Sequence, residues 1–306
     1  MILSVSRRTD IPAFFGKWFM NRLKEGFVCV RNPFNFHAVS KISLNKAVVD
    51  CIVFWTKDAT NFINYLPEIN NMGYKYYFQY TITPYDKAIE GNLRDKNLII
   101  ENFKNLSKQI GKEKVVWRYD PILLTEQIDI NWHVQKFEEM CKELAGYTDV
   151  VIISFLDEYK KLDKSKIRGL SFEEMQTISK EFKTIAKKYN LKLKTCAESL
   201  SESLDLEKAN CIDKQLIEKI CGYSLNVKKD KNQRFECLCA ESIDIGEYDT
   251  CSHQCLYCYA NNNCKNIQTK LQKHNLNSPL LIGEISNDDK ITERKISSMK
   301  NIQISI

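Results

Sequence analysis

The chain has 306 residues, 43% of them hydrophobic, which is enough for a sizeable core and fits one α/β barrel with an appendage. No run approaches about 18 apolar residues, which argues against a membrane span. The opening MILSVSRRTDIP lacks a secretory signal's apolar stretch and cleavage site, so a cytoplasmic location is expected. The net charge of +6 is spread over mixed Lys and Glu and by itself makes no case for nucleic acid.

Apolar runs at 2–6, 27–30, 51–55, 76–83, 115–119, 150–155 and 191–195 read as strands, most of them separated by helical periodicity. After Asp10, an N-cap candidate, Phe14, Phe15, Trp18, Phe19 and Leu23 follow helical spacing up to a stop at Gly26. Asp58 opens a second helix with Phe62, Tyr65, Leu66 and Ile69 on one face. Ser171 and Glu174 form a capping box before a helix that ends near Tyr189. Seven strands alternating with helices imply parallel pairing and right-handed crossovers, hence an α/β, TIM-like (β/α) barrel. LLIGEI at 280–285 is the candidate eighth strand. The stretch 27–50 shows no clear helix, so the barrel is expected to be imperfect there. Residues 1–195 would form the barrel strands and helices, and 196–306 a cysteine-rich region packed on its mouth, with the tail KITERKISSMKN as a surface helix.

Chemistry in such barrels collects where strands end. Arg7, Arg8 and Asp10, then Arg31 and Asn32, Lys57, Thr81 and Thr83 follow successive strands. Arg118 and Asp120, Ser154 and Asp157, and Cys196 and Glu198 do the same further on. Each alone is equally well a loop polar group or a helix cap; the recurrence is what predicts a polar pocket. Arg118 and Asp120 lie two apart on an extended segment and so face one side. Arg7, Arg31 and Arg118 suit a carboxylate or phosphate. Arg118, Asp120, Arg7 and Lys57 are therefore the candidate catalytic residues for a small anionic substrate.

Nine of the 12 cysteines fall between 196 and 264. In a reducing compartment such density reads as metal or cluster ligation rather than disulfides. Cys29, Cys51 and Cys141 sit in apolar contexts and read as core thiols. Cys251, Cys255 and Cys258 follow C-x3-C-x2-C, a tight loop whose three thiolates can hold a [4Fe–4S] cubane with one iron left open. Cys196, Cys211, Cys237 and Cys239 make a second set of four, suited to an auxiliary cluster or to structural zinc, with free thiols as the remaining alternative. Cys221, beside Gly222 in a helical pattern, reads as core. Cys264 is an alternative fourth ligand that would close the open iron.

With Tyr257 before its last cysteine, the CSHQCLYC loop resembles that of the radical S-adenosylmethionine enzymes. That resemblance implies S-adenosylmethionine on the open iron, reductive cleavage to a 5′-deoxyadenosyl radical, and a barrel fold. Gly283 and Glu284 resemble a reduced form of the element that receives the cofactor's amino group, with Ile282 in place of its first glycine. The loop departs from the superfamily in lying late in the chain instead of after the first strand. From residue 1 to about 295, with ILSVSRRTDIP, FWTKD, WRYDPI and the final cysteine loop, the chain resembles a bacterial family, domain-of-unknown-function family 1848. That likeness implies an iron–sulfur protein and supplies no substrate.

The leading expectation is a radical S-adenosylmethionine-like enzyme acting on a polar, anionic small molecule, reduced by a donor such as ferredoxin or flavodoxin. The alternatives are an electron-transfer or redox-sensing protein, a nucleic-acid-modifying or lesion-repair enzyme that uses the Lys-rich segments on phosphates, and a zinc-only module.

Overall fold

Runs of aromatic and β-branched residues that are apolar at nearly every position can be buried on both faces, and such strands pair in parallel. The computed structural model describes residues 1–157, 159, 161–196, 203–234, 237–262 and 264–301. Its strands are β1 (Ile2–Val5), β2 (Phe27–Asn32), β3 (Asn35–Ser43), β4 (Cys51–Thr56), β5 (Tyr76–Thr81) and β6 (Val115–Ile122). They continue with β7 (Val150–Phe155), β8 (Lys192–Thr195), β9 (Glu207–Lys208), β10 (Ile243–Asp244) and β11 (Lys290–Glu293). The helices are α1 (Ile11–Phe14), α2 (Gly16–Glu25), α3 (Leu66–Asn71), α4 (Lys96–Ile110), α5 (Ile130–Leu144), α6 (Phe172–Lys188), α7 (Lys214–Cys221) and α8 (Cys264–Leu271).

Eight strands form one parallel sheet in the order β10-β1-β4-β5-β6-β7-β8-β9. Its outer strands β9 and β10 make no ladder with each other among the described residues, so the sheet is open at that seam. Leu3, Phe54, Phe78, Trp117 and Ile153 point to one face, where they pack with Trp18 and Phe19 of α2, Phe103 of α4, Phe137 of α5 and Phe182 of α6. The rings of Phe137 and Phe182 stack with centroids 3.8 Å apart. Ile2, Val53, Tyr77, Val116 and Ile152 point to the other face and pack against Cys211, Ile212, Ile217 of α7, Leu225, Cys237 and Cys239.

Three expectations need correction. The run at 27–30 lies outside the main sheet: β2 pairs antiparallel with β3, and β11 joins β3 in parallel. The outer end of β3 is exposed, the signature of a sheet with a solvated face. The run 280–285 is loop, and the place next to β1 is taken by β10, paired through Leu3–Ile243 and Ser4–Asp244. The tail expected to be helical contributes β11 instead.

Among the local signals, the caps at Asp10, Gly26 and Ser171 held, while the helix after Asp10 is divided and the one at Asp58 is not formed. Asp10 caps α1 by accepting the Ala13 N–H at 3.0 Å, and Gly26 ends α2 in the left-handed region at φ 78°. The stretch between them breaks at Phe15 into two helices. A Cβ on Gly16 would come 2.9 Å from the Phe62 ring, so glycine permits that close approach. The Ser171–Glu174 capping box is present at the start of α6. Asp58 instead accepts the Thr60 N–H and pairs with Arg94, and the helix expected there is a short 3-10 turn followed by α3. No described helix is long and apolar enough to cross a membrane.

On α5, fully buried His133 bridges the Tyr119 hydroxyl at 2.7 Å and the Leu123 carbonyl at 2.8 Å. Burial pushes its pKa down from 6.5 to about 4, outweighing the carbonyl bond that favours the proton. Between these values the unfolded chain takes up a proton that the folded chain refuses. Stability should therefore be full above 6.5 and fall by up to about 1.4 kcal/mol per pH unit on acidification toward 4. Urea denaturation at pH 7 and pH 5 checks this, and His133→Gln should flatten the slope.

Candidate metal–sulfur site

Because the main sheet is parallel, the residues that follow its strands meet at one edge. A cavity of 480 Å³ opens there, lined by Arg7, Lys57, Arg118, Asp120, Ser154 and Tyr257 and by all seven cysteines Cys196, Cys211, Cys237, Cys239, Cys251, Cys255 and Cys258. The cysteines come from four separate stretches of chain, and the topology makes them neighbours.

The loop bearing Cys251, Cys255 and Cys258 is laced to the segment after β5. The Asn92 N–H donates to the His253 carbonyl at 3.0 Å, the Leu256 N–H to the Ile89 carbonyl at 2.9 Å, and the Asn92 side chain to the Ser252 carbonyl at 2.9 Å. Asn261 closes the loop on itself by donating to the Cys251 carbonyl at 2.8 Å. Two buried polar groups hold its side chains. His253 Nε2 meets Asp10 Oδ2 at 2.8 Å, and the same oxygen accepts the Lys57 N–H at 2.7 Å. Glu90, 1% exposed, accepts from Lys57 Nζ at 2.7 Å, from Thr83 Oγ1 at 2.8 Å, and from Lys96 and the Tyr257 hydroxyl. Burial works to raise the Glu90 pKa, but Lys57 and Lys96 overcome it and hold the carboxyl at about 2.

Burial pushes the Cys255 thiol up to about 12 despite Lys57 nearby, and raises Cys251 well above its ordinary value. Thiols in such a place keep their protons until a strong positive charge displaces them, which is what a metal centre provides.

The second thiol group is held by its own contacts. Cys196 Sγ and Cys211 Sγ are 2.9 Å apart, and the Ile212 N–H points to Cys239 Sγ at 3.4 Å. Tyr77 OH and Gln79 Nε2 both donate to the Cys211 carbonyl, at 2.7 and 2.8 Å, and fix its position. Arg118 Nη1 donates to Cys211 Sγ at 2.9 Å while Nη2 and Nε bind Asp120 Oδ2 at 2.5 and 3.0 Å. The Cys211 thiol lies at about 11: the Cys196 hydrogen bond lowers it, and contact with Cys239 and burial raise it further. Among the described residues, no three Cys, His, Asp or Glu side chains converge on the position of a single metal ion. A polynuclear cluster makes a different demand, since its ligands bind separate metal atoms.

The family model described as Domain of unknown function (DUF1848) matches residues 2–260, which takes in the main sheet and all seven of these cysteines. The chain belongs to this family. No curated protein matches it. Among solved structures, a protein from Bacteroides thetaiotaomicron assigned as an alpha-L-fucosidase is similar at 13% identity, with a TM-score of 0.27 over 68% of this chain and 80% of that one.

Not every residue expected at the site of this DUF1848 chain is there. Gly283 and Glu284 lie on the loop beside β2, where the Glu284 carboxylate accepts from Asn275 at 2.7 Å and its carbonyl from Arg31 at 3.2 Å; neither lines the cavity. Arg31 is bound to Asp289 at 2.5 Å. Cys221 donates to the Asp50 carbonyl at 3.3 Å, away from the cavity, as a core thiol would. Glu198 and the Cys264 side chain lie outside the described residues. Glu90, Lys96 and His253 were missed. His253 could have been found from its place inside the cysteine loop, whereas Glu90 sits in an irregular segment without periodicity.

Glu90→Ala would leave Lys57 without its buried counter-charge and Tyr257 without its acceptor. It should cost about 3–5 kcal/mol in chemical denaturation, and Glu90→Gln, which keeps an acceptor oxygen but not the counter-charge to Lys57 and Lys96, should recover only the smaller part that belongs to the Tyr257 and Thr83 hydrogen bonds.

Proposed function

We propose that this chain is an iron–sulfur protein of the radical S-adenosylmethionine type, acting on a small anionic substrate in the cavity at the strand ends. The observation that carries this reading is the convergence of the C-x3-C-x2-C loop and a four-thiol group on one cavity of 480 Å³. That volume suits a small molecule with its cofactor. Cys251, Cys255 and Cys258 would hold a [4Fe–4S] cluster with one iron free of protein ligands, and Cys196, Cys211, Cys237 and Cys239 an auxiliary one. When bound, such a cluster supplies the electron and the open coordination position for reductive cleavage of S-adenosylmethionine. The chain's own residues shape the surroundings. Tyr257 and Glu90 hold the loop in place, Lys57 brings a positive charge next to Cys255, and Trp55 and Tyr259 wall the cavity. A ferredoxin- or flavodoxin-like donor would provide the electron.

Electron transfer or redox sensing without cofactor cleavage is the second reading. The position of Gly283 and Glu284 outside the cavity favours it, because no GE element then meets the cofactor's amino group.

Anaerobic reconstitution should give iron and sulfide for two clusters, and Cys255→Ala should remove one of them. S-adenosylmethionine should alter the EPR signal of the reduced loop cluster, and reductant should then release 5′-deoxyadenosine. An unchanged signal without that product decides for electron transfer; zinc without iron in anaerobically purified protein overturns both readings.

A further inference from the structure

Arg118 looked from its sequence neighbourhood like a group that binds a substrate anion, but its donors are already engaged. Nε and Nη2 bind Asp120, and Nη1 reaches Cys211 Sγ at 2.9 Å and Gln79 Oε1 at 3.5 Å. The residue is 5% exposed. Asp120 is itself held from the far side by the Ser154 hydroxyl, and Gln79 also donates to the Cys211 carbonyl. The guanidinium is thus clamped with one donor aimed at a thiol. Arg7 lies on the same indole, its Cζ 5.1 Å from the Trp55 ring centroid against 5.6 Å for Arg118. Its Nη1 lies 3.9 Å from Asp230 Oδ2, and its buried Nη2 has no hydrogen-bond partner among the described residues.

Four thiolates gathered out of water carry a large electrostatic cost unless positive charge is built in beside them. Arginine suits the task because it keeps its charge at any ordinary pH. We propose that Arg118, assisted by Arg7, is the charge-compensating residue of the Cys196–Cys211–Cys237–Cys239 centre and sets that centre's reduction potential. This rests on the iron–sulfur reading of those thiols. Reduction transfers one electron from an external donor to the centre with no proton taken up, so the negative charge beside Arg118 grows by one. The N–H···S bond and the guanidinium charge both favour the reduced form, and their removal should lower the potential.

The test uses reconstituted full-length protein carrying Cys255→Ala, so that only the four-thiol centre is read, with dithionite as reductant and EPR as monitor. Arg118→Gln should lower the equilibrium constant for reduction about tenfold, a shift of about 59 mV to more negative potential for one electron. Arg118→Lys, which keeps the charge and loses the fixed fork, should shift it less. If Arg118→Gln fails to fold because Asp120 is stranded, the double variant Arg118→Gln, Asp120→Asn removes that buried charge and still lacks the guanidinium donor to Cys211. The loop centre, read alone in Cys237→Ala protein, should respond less to Arg118→Gln than the four-thiol centre does. A four-thiol centre that forms normally with unchanged potential in Arg118→Gln overturns the inference and leaves the iron–sulfur reading intact. Absence of any iron–sulfur centre in Cys255→Ala protein overturns that reading of the four thiols and the inference with it.

Discussion

Parallel pairing of eight strands is the constraint on which the site depends. In a parallel sheet every strand delivers its next residue to the same edge, so side chains far apart in sequence are gathered without any long-range design of loops. Arg7, Lys57, Asp120, Ser154 and Cys196 meet there because each closes or follows a strand of that sheet. The cavity is a consequence of strand direction first and of residue choice second.

What residue choice adds is a set of buried polar clamps. Glu90 with Lys57 and Lys96, Arg118 with Asp120, and Asp10 with His253 all sit where water is scarce. Buried pairs of this kind return little net stability, since desolvation offsets most of the attraction. Their effect is geometric: each holds its partners in one arrangement, and together they present the cysteine loop and the four thiols to a common space. Rigid surroundings matter for a site that would exchange electrons, because nothing then has to rearrange when charge changes.

Much of this was legible in the residues. The runs at 51–55, 76–83, 115–119 and 150–155 are apolar on both faces and could only be interior strands, and the Asp10, Gly26 and Ser171 punctuation marked helix ends correctly. The seven cysteines were recognisable from density and spacing. Three features were not. FVCV has the same composition as a central strand, and only the exposed positions of its partner β3 reveal a sheet with a wet face. The two-residue β10 is too short to carry a pattern, and its place is decided by Asp244 accepting from the Ser4 and Ser6 hydroxyls. Glu90 acts through a tertiary charge cluster, and no local periodicity records such a cluster.

The pairing of β10 with β1 also has a bearing on the order of assembly. Ser4 and Asp244 are 240 residues apart, so β1 waits for that length of chain before its outer neighbour arrives. Closing a loop of that size gives a high contact order and a slow final docking step. Until then the outer edge of β1 stays unpaired. By the time that strand exists, residues 237 and 239, whose thiols line the cavity, have also been made, so the outer edge of the sheet and that wall of the cavity are completed together.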